Sequence, residues 1–233
     1  MAFAREKRAV SINPKSRNRA ILSVGTANWP LPVPIVRRGG RWRFDAAAGR
    51  NEILRRRIGA NELNAIQVCR GYVEAQKLYA SEIRDGSGLS QYAQRIFSSP
   101  GKKDGLYWLN PDGTPGGPIG QAVARAINEG YQAQAGSGYH GYYFHVLRGQ
   151  GPAAPLGQLD YVVDGVMIGG FALIAAPVHY GVTGVKTFIV SHDGIVYEKD
   201  LGPKTNEVAK SIERYNPDKT WRRTDDEWPA DLF

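Results

Sequence analysis

Four histidines, His140, His145, His179 and His192, bound the chemistry open to this chain. Any imidazole-dependent acid–base or nucleophilic step must use one of them. The pairing that would make a hydrolase-like enzyme is His140 or His192 with an acid such as Asp160 or Asp193. The contiguous Ser191-His192-Asp193 is not by itself a triad, because triad members are assembled in space and adjacent side chains on a strand diverge. His140 and His145 are five residues apart, and on an alternating strand they face opposite sides, which argues against a two-histidine metal site. A structural or incidental histidine is the favoured reading at each position. Cys69 is the one cysteine, so it makes no intrachain disulfide and, without partners at ligand spacing, no structural zinc site. Gly165, Gly169-Gly170, Gly181 and Gly184 precede strand-like sequence where a phosphate loop needs a helix, so they mark turns and bulges. No cofactor and no metal are expected.

Recognition is the other chemistry on offer. Tyr139, Tyr142, Tyr143, Tyr161, Tyr180 and Tyr197 suit a carbohydrate or peptide groove, although such residues are more often half-buried in a sheet face. Residues 98–118, SSPGKKDGLYWLNPDGTPGGP, read as an exposed loop around Tyr107-Trp108. The predicted binding residues are therefore Tyr107, Trp108, Tyr139, His140, Tyr142 and Tyr143.

The elements that must hold these residues are legible from periodicity. From Tyr139 to Gly202 short β-branched and aromatic segments alternate with Gly, Pro and Asp-Gly pairs, the pattern of an antiparallel meander of three to five strands. Asp164-Gly165 and Asp193-Gly194 predict tight type I′ hairpins. Phe171 to Ala176 is a continuous apolar run whose length and flanking residues favour a buried strand. Ahead of the meander, Ala65, Ile66, Cys69, Tyr72, Val73, Gln76, Tyr79 and Ala80 recur at three-and-four spacing, a helix over Asn61–Ile83 with Asn61 as its cap. A shorter helical face, Ile53, Leu54 and Ile58, precedes it, with Gly59 expected to interrupt the two. Further helices are predicted from Pro118 to Gly130, and from Thr205 through Val208, Ile212 and Tyr215.

Residues 1–60 carry 14 Lys/Arg against 3 Asp/Glu, so the formal charge of +8 is entirely N-terminal. No reading module accompanies these cations, and a solvated face or a contact with an acidic protein segment is favoured over nucleic acid. Arg19 to Asp45 reads as two or three strands that cannot bury both faces alone. The first 19 residues lack the apolar core of a complete export signal. No apolar run approaches the roughly 20 residues of a membrane span.

The phrases CRGYVEAQKLYA, YAQRIFSSPGKKDGLYW, YHGYYF, GQGPAAP, DYVVDGVMIGGFALIAAPVHYG and TFIVSHDGIVYEKDLGP resemble the bacterial family known as domain of unknown function 2950, over roughly Ala20 to Trp221. The resemblance implies export to the envelope, hence a periplasmic or secreted protein, with no assigned activity. It implies an opening helical segment before the strands at Arg19, so the chain resembles an N-terminally truncated member. It also implies an acidic loop at Asp85–Gln91, where Ser87 and Gln91 replace two carboxylates, leaving too few oxygens for calcium. The expected fold is α+β, a long amphipathic helix on an antiparallel meander, similar to the globular half of pilins and preceded by a partial NTF2-like hairpin segment. The expected divisions are 1–50, 51–220 and a loose tail, 221–233. The expected function is a non-catalytic envelope module contacting another protein or a cell-wall component, with the His140 or His192 hydrolase as the alternative.

Overall fold

The computed structural model describes residues 7–84, 88–130 and 138–225. By internal contacts the chain falls into two compact units, residues 1–59 and 60–233.

The first unit holds β1 (Arg8–Ile12), β2 (Arg19–Val24), β3 (Trp29–Pro30), β4 (Ile35–Arg38) and β5 (Arg41–Phe44). They form one antiparallel sheet in the order β1-β2-β4-β5, with β3 paired to β2. Strand β1 was not expected. Its five residues are all exposed, so it has no buried alternation for a sequence reading to find. Helix α1 (Ala46–Ala80) begins here, and Asp45 Oδ1 accepts the Ala48 amide (3.1 Å) as its N-cap. In its first turns Arg56 pairs with Glu52 (2.9 Å), donates to Pro30 O (2.8 Å) and lies 4.9 Å over the Trp29 ring.

Helix α1 runs unbroken for 35 residues, through Gly59 and past Asn61. The expected interruption fails because a lone glycine costs a helix only about 1 kcal/mol relative to alanine, less than the packing of the following turns supplies. Asn61, freed from capping, donates to Thr183 O (2.8 Å).

In the second unit, α1 buries Ala65, Ile66, Cys69, Tyr72, Val73, Gln76 and Tyr79 of the stripe that the periodicity predicted, leaves Ala80 half-buried, and buries Val68 and Ala75 besides. Small pairings follow: β6 (Arg95–Phe97) runs parallel to β7 (Gly105–Leu109), and β8 (Pro115–Gly116) antiparallel to it. Then come α2 (Gln121–Glu129), β9 (Tyr142–Leu147), the β10 (Gly149–Gln150)–β11 (Leu159–Asp160) pair and the β12 (Val162–Val163)–β13 (Val166–Met167) hairpin. The main sheet adds β14 (Ala172–Pro177), β15 (Lys186–Ser191), β16 (Val196–Asp200) and β17 (Arg222–Arg223). Its order is β17-β16-β15-β14-β9, antiparallel throughout; β14 to β17 follow one another as a meander, whereas β10–β13 intervene between β9 and β14 and pair off this sheet, so the Asp164-Gly165 hairpin is not part of it. Helix α3 (Thr205–Ser211) lies against β14.

All six residues of β14 are buried. A strand covered on both faces loses its period-two signature, which is why Phe171–Ala176 read as an apolar run without alternation. Helix α1 covers the side of Phe144, Ala175 and Phe188; its Tyr72 meets Phe171 edge-on, with ring centroids 5.6 Å apart. Glu62, expected on the polar side of the helix, instead accepts the amides of Val185 (2.9 Å) and Lys186 (3.1 Å), tying the helix to the start of β15. Near the other end, Gln76 pairs with the Ala93 backbone as a strand residue would: Nε2 donates to Ala93 O (2.9 Å) and Oε1 accepts Ala93 N (2.8 Å).

Three local expectations change. The Asp193-Gly194 turn is not type I′, because only Gly194 has positive φ; Gly194 N bonds Ser191 O (2.9 Å), and Asp193 Oδ1 accepts Ile195 N (3.0 Å). Asp164-Gly165, with φ of 50° and 80°, is type I′. Helix α3 stops at Ser211 and has Lys204, not Thr205, at its N-cap; Tyr215 is fully buried outside it, bridged to Gln150. The first residues of the expected loose tail are held on the sheet, since Arg222 and Arg223 pair with Glu198 and Tyr197. The calcium-loop positions Asp85 and Ser87 lie outside the described residues, as do 226–233. Gln91 turns inward and accepts the Met167 amide (3.0 Å).

Candidate functional site

Tyr139 and His140 sit in a turn and not on a strand, which corrects the expectation that His140 alternates with His145. Tyr142 N bonds Tyr139 O (3.1 Å), with His140 at φ 48° and Gly141 at φ 78°, the left-handed pair of a type I′ turn. Glycine is required at 141, because an added Cβ would lie 2.7 Å from Asn61 Nδ2 and 2.9 Å from Thr183 Cβ. Histidine in the left-handed region is uncommon, and its presence here is local strain held by the surrounding structure. The two rings meet edge-on, centroids 4.4 Å apart.

This turn forms one wall of a groove of about 310 Å³. The facing wall is the stripe Asn64, Gln67 and Gly71 of α1, at i, i+3 and i+7. Pro118, Ile119 and Gly120, leading into α2, close the end. Gly120 caps α2 without a side-chain bond, so the first-turn amides stand at the groove's rim. Among the described residues, the side chains of Asn64, Gln67 and His140 make no hydrogen bond, so their donors and acceptors are available to a ligand. The lining holds no carboxylate and no lysine or arginine. An aromatic pair facing free amides binds polar, uncharged groups through stacking and paired hydrogen bonds.

Tyr142 and Tyr143 fall on the other side of Tyr139, lining a cleft of about 100 Å³ with Arg125 and Glu129 of α2. Tyr142 is buried, its hydroxyl donates to Lys186 O (2.8 Å), and burial pushes its ionisation well above the ordinary range, with Glu62 adding to the effect. Tyr107 and Trp108 lie on β7 and not in an exposed loop. Tyr107 is 4% exposed, and Trp108 is half-buried with Lys103 at 5.5 Å and Arg84 at 5.6 Å over its ring. Of the six predicted residues, Tyr139 and His140 therefore share the groove, Tyr142 and Tyr143 adjoin it, and Tyr107 and Trp108 belong to a separate packing centre. Sequence reasoning missed Asn64, Gln67 and Gly71. Their signal was two amides and a glycine repeating on the polar side of the clearest helix.

The larger cleft, about 450 Å³, lies between α3 and the sheet. Several of its polar groups are already engaged: Lys199 donates to Thr220 (2.7 Å), Arg214 to Leu159 O (3.1 Å), and Asn216 accepts Ala153 N (2.8 Å). The pairings proposed for hydrolysis do not form. Asp160 is ion-paired with Arg214. Asp193 accepts Ser191 Oγ (3.0 Å) and the Ile195 amide, serving its own turn. His192 stands edge-on to Tyr161 and Phe171, its Nδ1 buried without a partner. Cys69 is buried, and desolvation pushes its thiol up to about 12 against a small opposing effect of Arg70. No helix is long and apolar enough to cross a membrane, and no three metal-ligating side chains converge, both among the described residues.

Among the described residues the molecule is thus an α+β protein with three helices and mainly antiparallel sheets, with a groove beside the Tyr139–His140 turn. The chain belongs to the DUF2950 family, described as protein of unknown function, whose model matches residues 2–224. That description gives no sign of catalysis. Neither the curated proteins nor the solved structures yield a match.

Proposed function

We propose that this chain is a non-catalytic binding module of the bacterial envelope, and that the Tyr139–His140 groove holds an uncharged, polar stretch of a cell-wall glycan. The observation that carries the reading is the set of unpartnered polar side chains, Asn64, Gln67 and His140, facing an aromatic pair with no acid among them. A pyranose ring offers an apolar C–H face to an aromatic ring and paired hydroxyls to a planar amide. A groove of about 310 Å³ holds a small number of such rings. The periplasmic or secreted location follows the family resemblance. The likeness to a pilin globular half is supported by α1 lying along an antiparallel meander, and the NTF2-like likeness by the separate N-terminal sheet.

Calorimetric titration of the full chain with soluble wall glycan fragments tests this. Binding is expected, with Tyr139→Ala or Gln67→Ala weakening it at least tenfold and leaving the fold intact. Absence of heat with every glycan, or equal affinity in both variants, rules the reading out.

A further inference from the structure

The first unit presents a sheet whose two faces differ in kind. Residues paired across antiparallel strands share a face. The row Ile12–Ala20–Ile35–Phe44 therefore crosses all four long strands on one face, with Ala20 at its centre buried, joined there by Val10, Leu22 and Trp42 and by Arg37, which pairs with Trp42, and Arg8, which pairs with Val24. Phe44 is 57% exposed, Ile12 55% and Trp42 43%. The other face carries Arg19, Arg43, Arg38 and Arg41, the last two directly opposite each other across the β4–β5 hairpin. Like charges in that position repel. The nearest carboxylate is Asp45, 3.9 Å from Arg38, and among the described residues Arg19, Arg41 and Arg43 have no ion-pair partner.

Gly39-Gly40, with φ of 58° and 78°, makes the hairpin tip, so Arg38, Arg41 and Trp42 surround one projecting turn. Strand β5 is the sheet's outer edge, where arginine stems can bend past the backbone towards the apolar side. The two kinds of side chain meet at the β4–β5 hairpin, where Arg37 stands directly opposite Trp42 on the mainly apolar face. A second copy of this chain brings like charge, with 14 Lys/Arg against 3 Asp/Glu in residues 1–60. A bilayer interface takes both kinds at once, apolar and indole side chains at the acyl boundary and guanidiniums at the phosphates just above.

We infer that the β4–β5 hairpin, with Trp42 and Phe44 below and Arg38, Arg41 and Arg43 around it, docks this protein on an anionic membrane surface. The surface lies within residues 1–59 and is independent of the glycan groove.

Co-sedimentation of the full chain with vesicles tests it, comparing phosphatidylglycerol mixed into phosphatidylcholine with phosphatidylcholine alone. Pelleting is expected with the anionic vesicles only, weakening as salt rises. Each arginine removed should reduce affinity about fivefold, so R38Q/R41Q/R43Q should lose about a hundredfold. The lysine triple variant R38K/R41K/R43K should retain most binding, because the phosphate attraction needs the charge and not the guanidinium fork. W42A/F44A should also release the protein, and a circular dichroism spectrum equal to the parent's shows that its loss is not misfolding. Failure to pellet with anionic vesicles, unaltered binding by the glutamine variant, or displacement from vesicles by duplex DNA at equal salt would each overturn the inference, the last assigning the surface to nucleic acid.

Discussion

Replacing Gly141 by alanine perturbs the turn that aims Tyr139 and His140 into the groove, and its cost can be worked from two contacts. A Cβ at φ 78° places an L side chain in the left-handed region, at about 1–2 kcal/mol. The same Cβ lies 2.7 Å from Asn61 Nδ2 and 2.9 Å from Thr183 Cβ, so the Asn61 amide must move and its bond to Thr183 O is lost, at about 1 kcal/mol. The sum is about 2–3 kcal/mol of unfolding free energy, measurable by urea denaturation. Asn61→Ala alone should cost about 1 kcal/mol, the bond without the clash. In the double variant the clash with the amide is gone, so the two costs should fall short of additive by about 1 kcal/mol. Strict additivity, or a Gly141→Ala variant within about 0.5 kcal/mol of the parent, would refute the turn geometry on which the groove depends.

Three further outcomes follow from the packing. Gln76→Leu strands the Ala93 amide and carbonyl and the Tyr72 hydroxyl, which lies 3.1 Å from Gln76 Nε2; denaturation should show a loss of about 3 kcal/mol or more. Burial works to raise the Asp104 carboxyl, but its bonds from Ser99 N (2.6 Å) and Ser99 Oγ (2.8 Å), with Arg95 nearby, hold it below the ordinary range. A carboxyl depressed in the folded state adds stability above its unfolded pKa that is lost as pH falls through the folded one, so Asp104→Asn should flatten the stability profile below about pH 4 and a parallel profile would exclude the effect. Cys69 should resist alkylation at neutral pH until urea unfolds the chain, since its thiol is buried and held protonated; modification of the native protein at the rate of a free thiol contradicts that placement.

The second unit was more legible in the sequence than the first. Seven buried residues of α1 and the Ile174, Phe188 and Val190 strands leave periodic or apolar traces, because burial on a fixed face selects side chains at fixed intervals. Where that selection is missing, so is the signal. β1 is exposed at every position, and β7 is buried within a stretch dense in Gly, Pro and Asp, so composition hid a strand that holds Tyr107 and Trp108. Turn chemistry misled in two directions. Asp193-Gly194 has the residues of a type I′ turn, but Asp193 spends its carboxylate on Ser191 and Ile195 in a longer loop. Tyr139–Tyr142 has a histidine where asparagine or aspartate would have marked the same turn. The groove itself was half visible. Its aromatic wall stood out by residue type, whereas Asn64, Gln67 and Gly71 are ordinary polar-face residues until the turn is seen opposite them.

One substitution separates binding from folding. Gly71 lines the groove from an exposed face of α1, and an added Cβ there meets nothing within 4 Å. Gly71→Leu should therefore fold at least as well as the parent, gaining about 0.8 kcal/mol of helix propensity, while its side chain fills the space a sugar ring would occupy. The direct measurement is the affinity of this variant for the glycan fragments that the parent binds. A loss of about tenfold or more, 1.4 kcal/mol, with an undiminished unfolding midpoint is the predicted result. An unchanged affinity in a folded Gly71→Leu protein would contradict the assignment of the groove as the binding site.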